Sequence, residues 1–184
     1  MMLNRANMLT WAGLALVAIA AALASVWLAV HTIGAPPKKL DIHGTYLDGG
    51  RPIANFDLTD HRQENFTPEQ LKGSWSLLTF GYINCPDTTP EMLEMLSLTY
   101  QILDGADLTD DLQVAMVSVA TEHDTPPRLA NFAPRFHKEF IALTGSYRQI
   151  NKLTSSLGIR VTQTNADKPS YSIRPEGTIV LINP

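Results

Sequence analysis

The sequence predicts an α/β domain on a mainly parallel sheet with helices on both faces, preceded by one membrane-spanning helix. Three observations carry this. Apolar strand-like runs alternate with segments whose apolar residues recur at helical spacing, the mark of strand–helix–strand units. Residues 6–30 contain no Lys, Arg, Asp or Glu. The only cysteine in 184 residues, Cys85, stands between an apolar run and a helix start.

The chain carries a net charge of −4 with no long run of Lys or Arg, which excludes nucleic acid as a partner class. One cysteine excludes an internal disulfide and a multi-cysteine zinc site.

In chain order, residues 1–7 form a short N-terminal segment. Residues 8–30 are nearly all apolar and long enough to cross about 30 Å of hydrocarbon. Ala22-Leu23-Ala24 also offers a small-residue cleavage site. The apolar run continues past it to Val30 and favours an uncleaved anchor, with Trp11 and Trp27 as interfacial aromatics. Residues 31–43 are a linker stiffened by Pro36 and Pro37. The domain then occupies residues 44–184.

Within it, Thr45–Leu47 and Phe56–Leu58 read as short strands around a Gly49-Gly50 turn. Thr67-Pro-Glu-Gln70 is a capping-box pattern for a short helix stopped at Gly73. Leu77–Tyr82 is a buried strand. Thr89 is the expected N-cap of the next helix, with Pro90 at its first position. In that helix Met92, Met95, Leu96, Tyr100 and Leu103 predict one packed face, and Asp104-Gly105 ends it. Leu112–Val119 is a second central strand. Asp124-Thr-Pro-Pro127 opens a helix running through Leu129, Phe132 and Phe136. Ile141–Leu143 is a third strand. Tyr147, Ile150, Leu153 and Leu157 mark a long helix with Gly158 as its stop. Residues 161–170 read as a polar loop and Thr178–Ile182 as a last strand.

Cys85 therefore sits in a strand-to-helix turn, facing the positive end of a helix, which favours the thiolate. The loop Ala120–Asp124 follows the carboxyl end of another strand, so thiol and loop are expected on one face.

The stretch Phe80-Gly-Tyr-Ile-Asn-Cys-Pro-Asp-Thr-Thr-Pro90 resembles the signature of the Sco/SenC family, whose usual form is F-G-Y-x-x-C-P-D-x-C-P. The segments Leu47–Tyr82, Val117–Phe132 and Phe140–Gly145 are also similar to that family. The resemblance implies a thioredoxin-like fold and a membrane-anchored copper chaperone for the dinuclear copper site of cytochrome c oxidase, rather than an enzyme. It implies a single-pass protein of the inner or cell membrane whose domain faces the periplasm or another extracytoplasmic side. An oxidase subunit or another copper chaperone is the implied partner, and copper the implied cargo.

Family members hold copper with two cysteines and a distant histidine. Here the second cysteine position holds Thr89. The histidine run reads Tyr171-Ser-Ile-Arg-Pro-Glu-Gly-Thr-Ile-Val-Leu-Ile-Asn-Pro184, with Pro175 at the histidine and Arg174 at the neighbouring aspartate. The acid of a family S-V-D-P segment is replaced at Ala120. The family continues past Pro184 with another strand and helix, so the resemblance implies that these are missing. Copper(I) prefers thiolate, and imidazole also suits copper; a threonine hydroxyl is a poor ligand and proline has none. Cys85 remains as the candidate metal ligand, and His123, on the loop expected beside it, is the one replacement histidine the sequence offers. Asp87 is expected to accept from helix N–H groups.

Three functions follow. The first is a Sco-type assembly factor with weak or absent copper binding. The second is a degenerate remnant of the family. The third is a single-cysteine thiol redox protein, which lacks a resolving thiol here.

Overall fold

A computed structural model describes residues 5–32, 44–45, 47, 49–165, 170–174 and 176–184. The chain divides into two units, residues 1–48 and 49–184. The first contains α1 (Arg5–Thr32), a helix of 28 residues. Its described apolar side chains, among them Trp11, Leu14, Val17, Leu23 and Trp27, are exposed. Among the described residues no helix is long and apolar enough to cross a membrane. The anchor at residues 8–30 thus rests on the sequence. The linker, residues 31–43, lies almost wholly outside the described residues.

The second unit is built on a six-stranded sheet. Its strands are β1 (Leu58–Asp60), β2 (Asn65–Phe66), β3 (Trp75–Gly81), β4 (Leu112–Ser118), β5 (Ile141–Thr144) and, past the hairpin described below, β8 (Ile179–Ile182). The spatial order is β2-β1-β5-β4-β3-β8. Only β3–β4 and β4–β5 are parallel; β1–β2, β1–β5 and β3–β8 are antiparallel. The sheet is therefore mixed, not mainly parallel. The parallel pairs are those bridged by helical crossovers, while a tight turn makes β1–β2 antiparallel.

Alternation along the central strands explains the two cores. Ala115 and Val117 face one side and Val114 and Met116 the other. On the first side they meet Ile150 and Leu153 of α4 (Tyr147–Ser156) with Phe56 and Phe66. On the second they meet Leu93 and Leu96 of α2 (Thr88–Asp104) with Leu129 of α3 (Pro126–Ala130). Each Val, Leu, Ile, Phe or Met among them, fully buried, contributes about 1.5–3 kcal/mol.

Several elements depart from expectation. Phe56–Leu58 becomes strand only at Leu58, and Thr45 and Leu47 are not in strands. Met95 of α2 is 48% exposed, because the buried stripe runs through Thr89, Met92, Leu93, Leu96 and Ser97. The helix opened at Pro126 ends at Ala130, and a separate 3₁₀ turn covers Ala133–Arg135. Pro134 explains the break, since it has no N–H to donate and clashes with the carbonyl four residues back. The expected loop at residues 161–170 is in large part a hairpin of β6 (Arg160–Asn165) and β7 (Ser170–Arg174). The β-branched Val161, Thr162 and Thr164 suit a strand despite their polar company. The capping box at Thr67 forms as read, with the Thr67 N–H donating to Gln70 Oε1 at 2.7 Å.

Candidate functional site around Cys85

Strand β3 ends at Gly81 and the chain turns through Ile83 and Asn84, the Cys85 N–H donating to the Tyr82 carbonyl at 3.1 Å. This sets the half-buried thiol of Cys85 against the core, just ahead of α2. The helix starts two residues earlier than expected. Its N-cap is Asp87, whose side chain makes no capping hydrogen bond. Only the Asp87 backbone carbonyl is engaged, by Glu91 N–H at 3.1 Å. The capping role expected of the Asp87 carboxylate is not seen.

Thr89 is not a cap either. It lies one residue inside α2, 3% exposed, with its side chain turned onto β3. Its Oγ1 accepts the Tyr82 N–H at 3.2 Å. A Cβ at Gly81 would overlap that hydroxyl and come within 2.7 Å of the Thr89 methyl. Gly81 is thus the notch that admits Thr89. A glycine inside an apolar strand signals such a close approach, and this is how the contact was findable in the sequence.

Cys85, Thr88, Thr89 and Tyr82 line an open cleft of about 250 Å³, closed on its far wall by Tyr171 and Glu176. The rings of Tyr82 and Tyr171 meet edge to face at 5.2 Å. Burial raises the Tyr171 pKa above the ordinary phenol value, and the charges of Glu122 and Asp124 push the same way. Tyr171 therefore stays a neutral hydroxyl at physiological pH.

The loop after β4 does reach the cysteine turn, through Asp124, the last residue of the loop expected on that face and also the expected helix opener. Asp124, 1% exposed, accepts from Ser118 Oγ at 2.6 Å and from the Ile83 N–H at 2.9 Å through one oxygen, Oδ2. Arg128 Nη1 lies 4.0 Å from the other oxygen. His123 is exposed and is not among the residues lining the cleft; its carbonyl accepts from Arg128 Nη1 at 2.6 Å. Arg174 is exposed, and Pro175 lies outside the described residues. Among the described residues, no three His, Cys, Asp or Glu side chains are grouped so as to hold a metal ion. The donors at the cleft are one sulfur, neutral hydroxyls, and the two carboxylates of Asp87 and Glu176. That set does not fit a soft monovalent ion.

The SCO1/SenC family model matches residues 46–184. The chain belongs to this family. A putative copper-binding protein of Stutzerimonas stutzeri is 32% identical over 135 residues, covering 73% of this chain and 65% of that protein. The mitochondrial protein SCO2 of Saccharomyces cerevisiae is 33% identical over 136 residues, covering 68% of this chain and 45% of that protein. The solved structure of Bradyrhizobium japonicum ScoI with copper bound is similar with a TM-score of 0.64 at 28% identity, over 72% of this chain and 83% of that one. The match thus spans less than two thirds of the Stutzerimonas protein and under half of the yeast one. The fold is the thioredoxin-like α/β fold of the Sco proteins, with a mixed central sheet.

Proposed function

We propose that this SCO1/SenC protein is a membrane-anchored accessory factor in assembly of the cytochrome c oxidase copper site, with weak or no copper binding of its own. Its partner is an oxidase subunit or another copper chaperone. Its domain faces the periplasm or another extracytoplasmic side.

One observation carries the reading. At the position of the family's second cysteine, the Thr89 hydroxyl is buried against Gly81 and committed to the Tyr82 N–H. That leaves Cys85 as the single soft donor in the cleft. A lone thiolate holds copper(I) poorly against cellular thiols, whereas the cleft and its rim keep the shape on which a partner can dock. The anchor is supported by the uncharged stretch 6–30.

Deleting the gene in its own host tests the assembly role. The proposal expects lower oxidase activity and less copper in the oxidase, restored by the gene in trans. Unchanged oxidase would favour the degenerate remnant. A reporter fused after Gly34 is expected to be active only outside the cytoplasm; activity only inside overturns the topology.

A further inference from the structure

Charge is distributed unevenly along this chain. Residues 140–175 hold five basic residues, Arg148, Lys152, Arg160, Lys168 and Arg174, against one acid, Asp167, a net of +4 in a chain of net −4. Lys168 and Asp167 lie outside the described residues. The other four are exposed and gather on α4, β6 and β7.

Their placement is continuous. Arg148 and Lys152 are four residues apart on α4 and so share a face. One turn beyond Lys152, Ser155 and Gly158 border a surface hollow that Arg160 also lines. Arg51 approaches Gly158, its Nη1 being 3.4 Å from where a Gly158 Cβ would stand. Arg160 and Arg174 are directly opposed partners in the β6–β7 pair.

Elsewhere on the domain Arg62, Lys72, Arg128 and Lys138 each face a carboxylate, and among the described residues Arg135 does not. Among the described residues none of Arg51, Arg148, Lys152, Arg160 and Arg174 does. The carbonyl end of α4 explains a cation or two beside Gly158. It does not explain Arg160 against Arg174, since like charges directly opposite on a hairpin are destabilising. A fold that keeps such an opposition, unneutralised, has an anionic surface to meet.

From this geometry we infer that the face formed by α4, β6 and β7 docks an acidic protein surface. Strand β7 joins this face to the Cys85 cleft, for Tyr171 and Ile173 line the cleft and Arg174 follows them. Planar guanidinium groups suit carboxylates through paired hydrogen bonds.

The test is a titration of the full-length, isotope-labelled protein in neutral detergent with poly-L-glutamate, read by amide chemical shifts. The shifts are expected on α4, β6 and β7, and binding is expected to weaken steeply as salt is raised. Replacing Arg148, Lys152, Arg160 and Arg174 by Gln should weaken it at least about tenfold, a loss of about 1.4 kcal/mol. Replacing Lys72, Arg135 and Lys138 by Gln should leave it unchanged. The pair Arg160→Gln with Arg174→Gln removes a repulsion and keeps the test open should the fourfold variant fold poorly. Equal weakening by the control set, or shifts spread over the whole domain, overturns the inference. So does binding to phosphatidylglycerol vesicles with none to poly-L-glutamate, which assigns the face to a membrane. Cys85→Ser should bind poly-L-glutamate as the wild type does, so this result stands apart from the copper reading.

Discussion

Asp124 Oδ2 accepts the Ile83 N–H at 2.9 Å, fastening the loop after β4 to the turn that carries Cys85. The same oxygen takes the Ser118 hydroxyl at 2.6 Å, so a single buried carboxylate joins two loops and a strand end. Removing it leaves the part-buried Ile83 N–H and the buried Ser118 hydroxyl without this acceptor, which costs about 1–3 kcal/mol. Asp124→Ala should lower stability by that amount in urea unfolding. It should also raise the alkylation rate of Cys85 in the folded protein, because the turn is no longer held. A stable variant with wild-type thiol reactivity would contradict the fastening role.

Gly81 and Thr89 are complementary in the same way. Gly81→Ala drives a methyl into the Thr89 side chain, an overpacking that costs about 1–3 kcal/mol. Thr89→Ala in that background should recover part of the loss, because it empties the space the methyl needs. The coupling is expected at about 0.5–3 kcal/mol in a double-mutant cycle. Additive effects of the two substitutions would show that the side chains do not meet.

The pH dependence of stability should carry a contribution from His61. Its Nδ1 accepts the Ala142 N–H at 3.2 Å, which requires a neutral ring. Burial lowers its pKa below the ordinary value near 6.5; Arg62 acts in the same direction and Asp60 opposes it. A depressed folded-state pKa means the unfolded chain takes the proton first, so this stability is present above about pH 6.5 and lost as pH falls below it. Denaturation of the wild type and His61→Gln at pH 7.5 and pH 5, round values either side of about 6.5, checks this. The wild type's advantage over the variant should shrink at the lower pH. A constant difference would contradict it.

Much of this architecture was legible in the sequence, because apolar runs such as Leu77–Tyr82 and Leu112–Val119 have one structural use. The α4 boundaries were legible too, since Gly158, at φ 76°, adopts a conformation glycine favours. The β6–β7 hairpin was hidden because its residues are polar and its apolar members, Val161, Tyr171 and Ile173, only partly bury. At the site, Cys85 and the sharing of one face with the Ala120–Asp124 loop were readable from the strand ends. The agent of that sharing was not: Asp124 looked like a helix opener, and only the fold brings it to Ile83. Thr89 as a substituted ligand position was visible from the motif, but its burial against Gly81 depends on where α2 begins, two residues before where its prolines and threonines suggested.

Copper(I) competition tests the account's central claim most directly. The wild-type protein, reduced, is titrated against a chelator of graded strength beside Thr89→Cys with Pro175→His, the changes that supply the family's thiolate and imidazole at those positions. The wild type is expected to surrender copper to a modest chelator. The double variant is expected to hold one equivalent more tightly by orders of magnitude, and neither single change should achieve as much, since ligands around one ion act together. A wild-type protein that retains one equivalent as firmly as the double variant would contradict the claim that Cys85 stands alone.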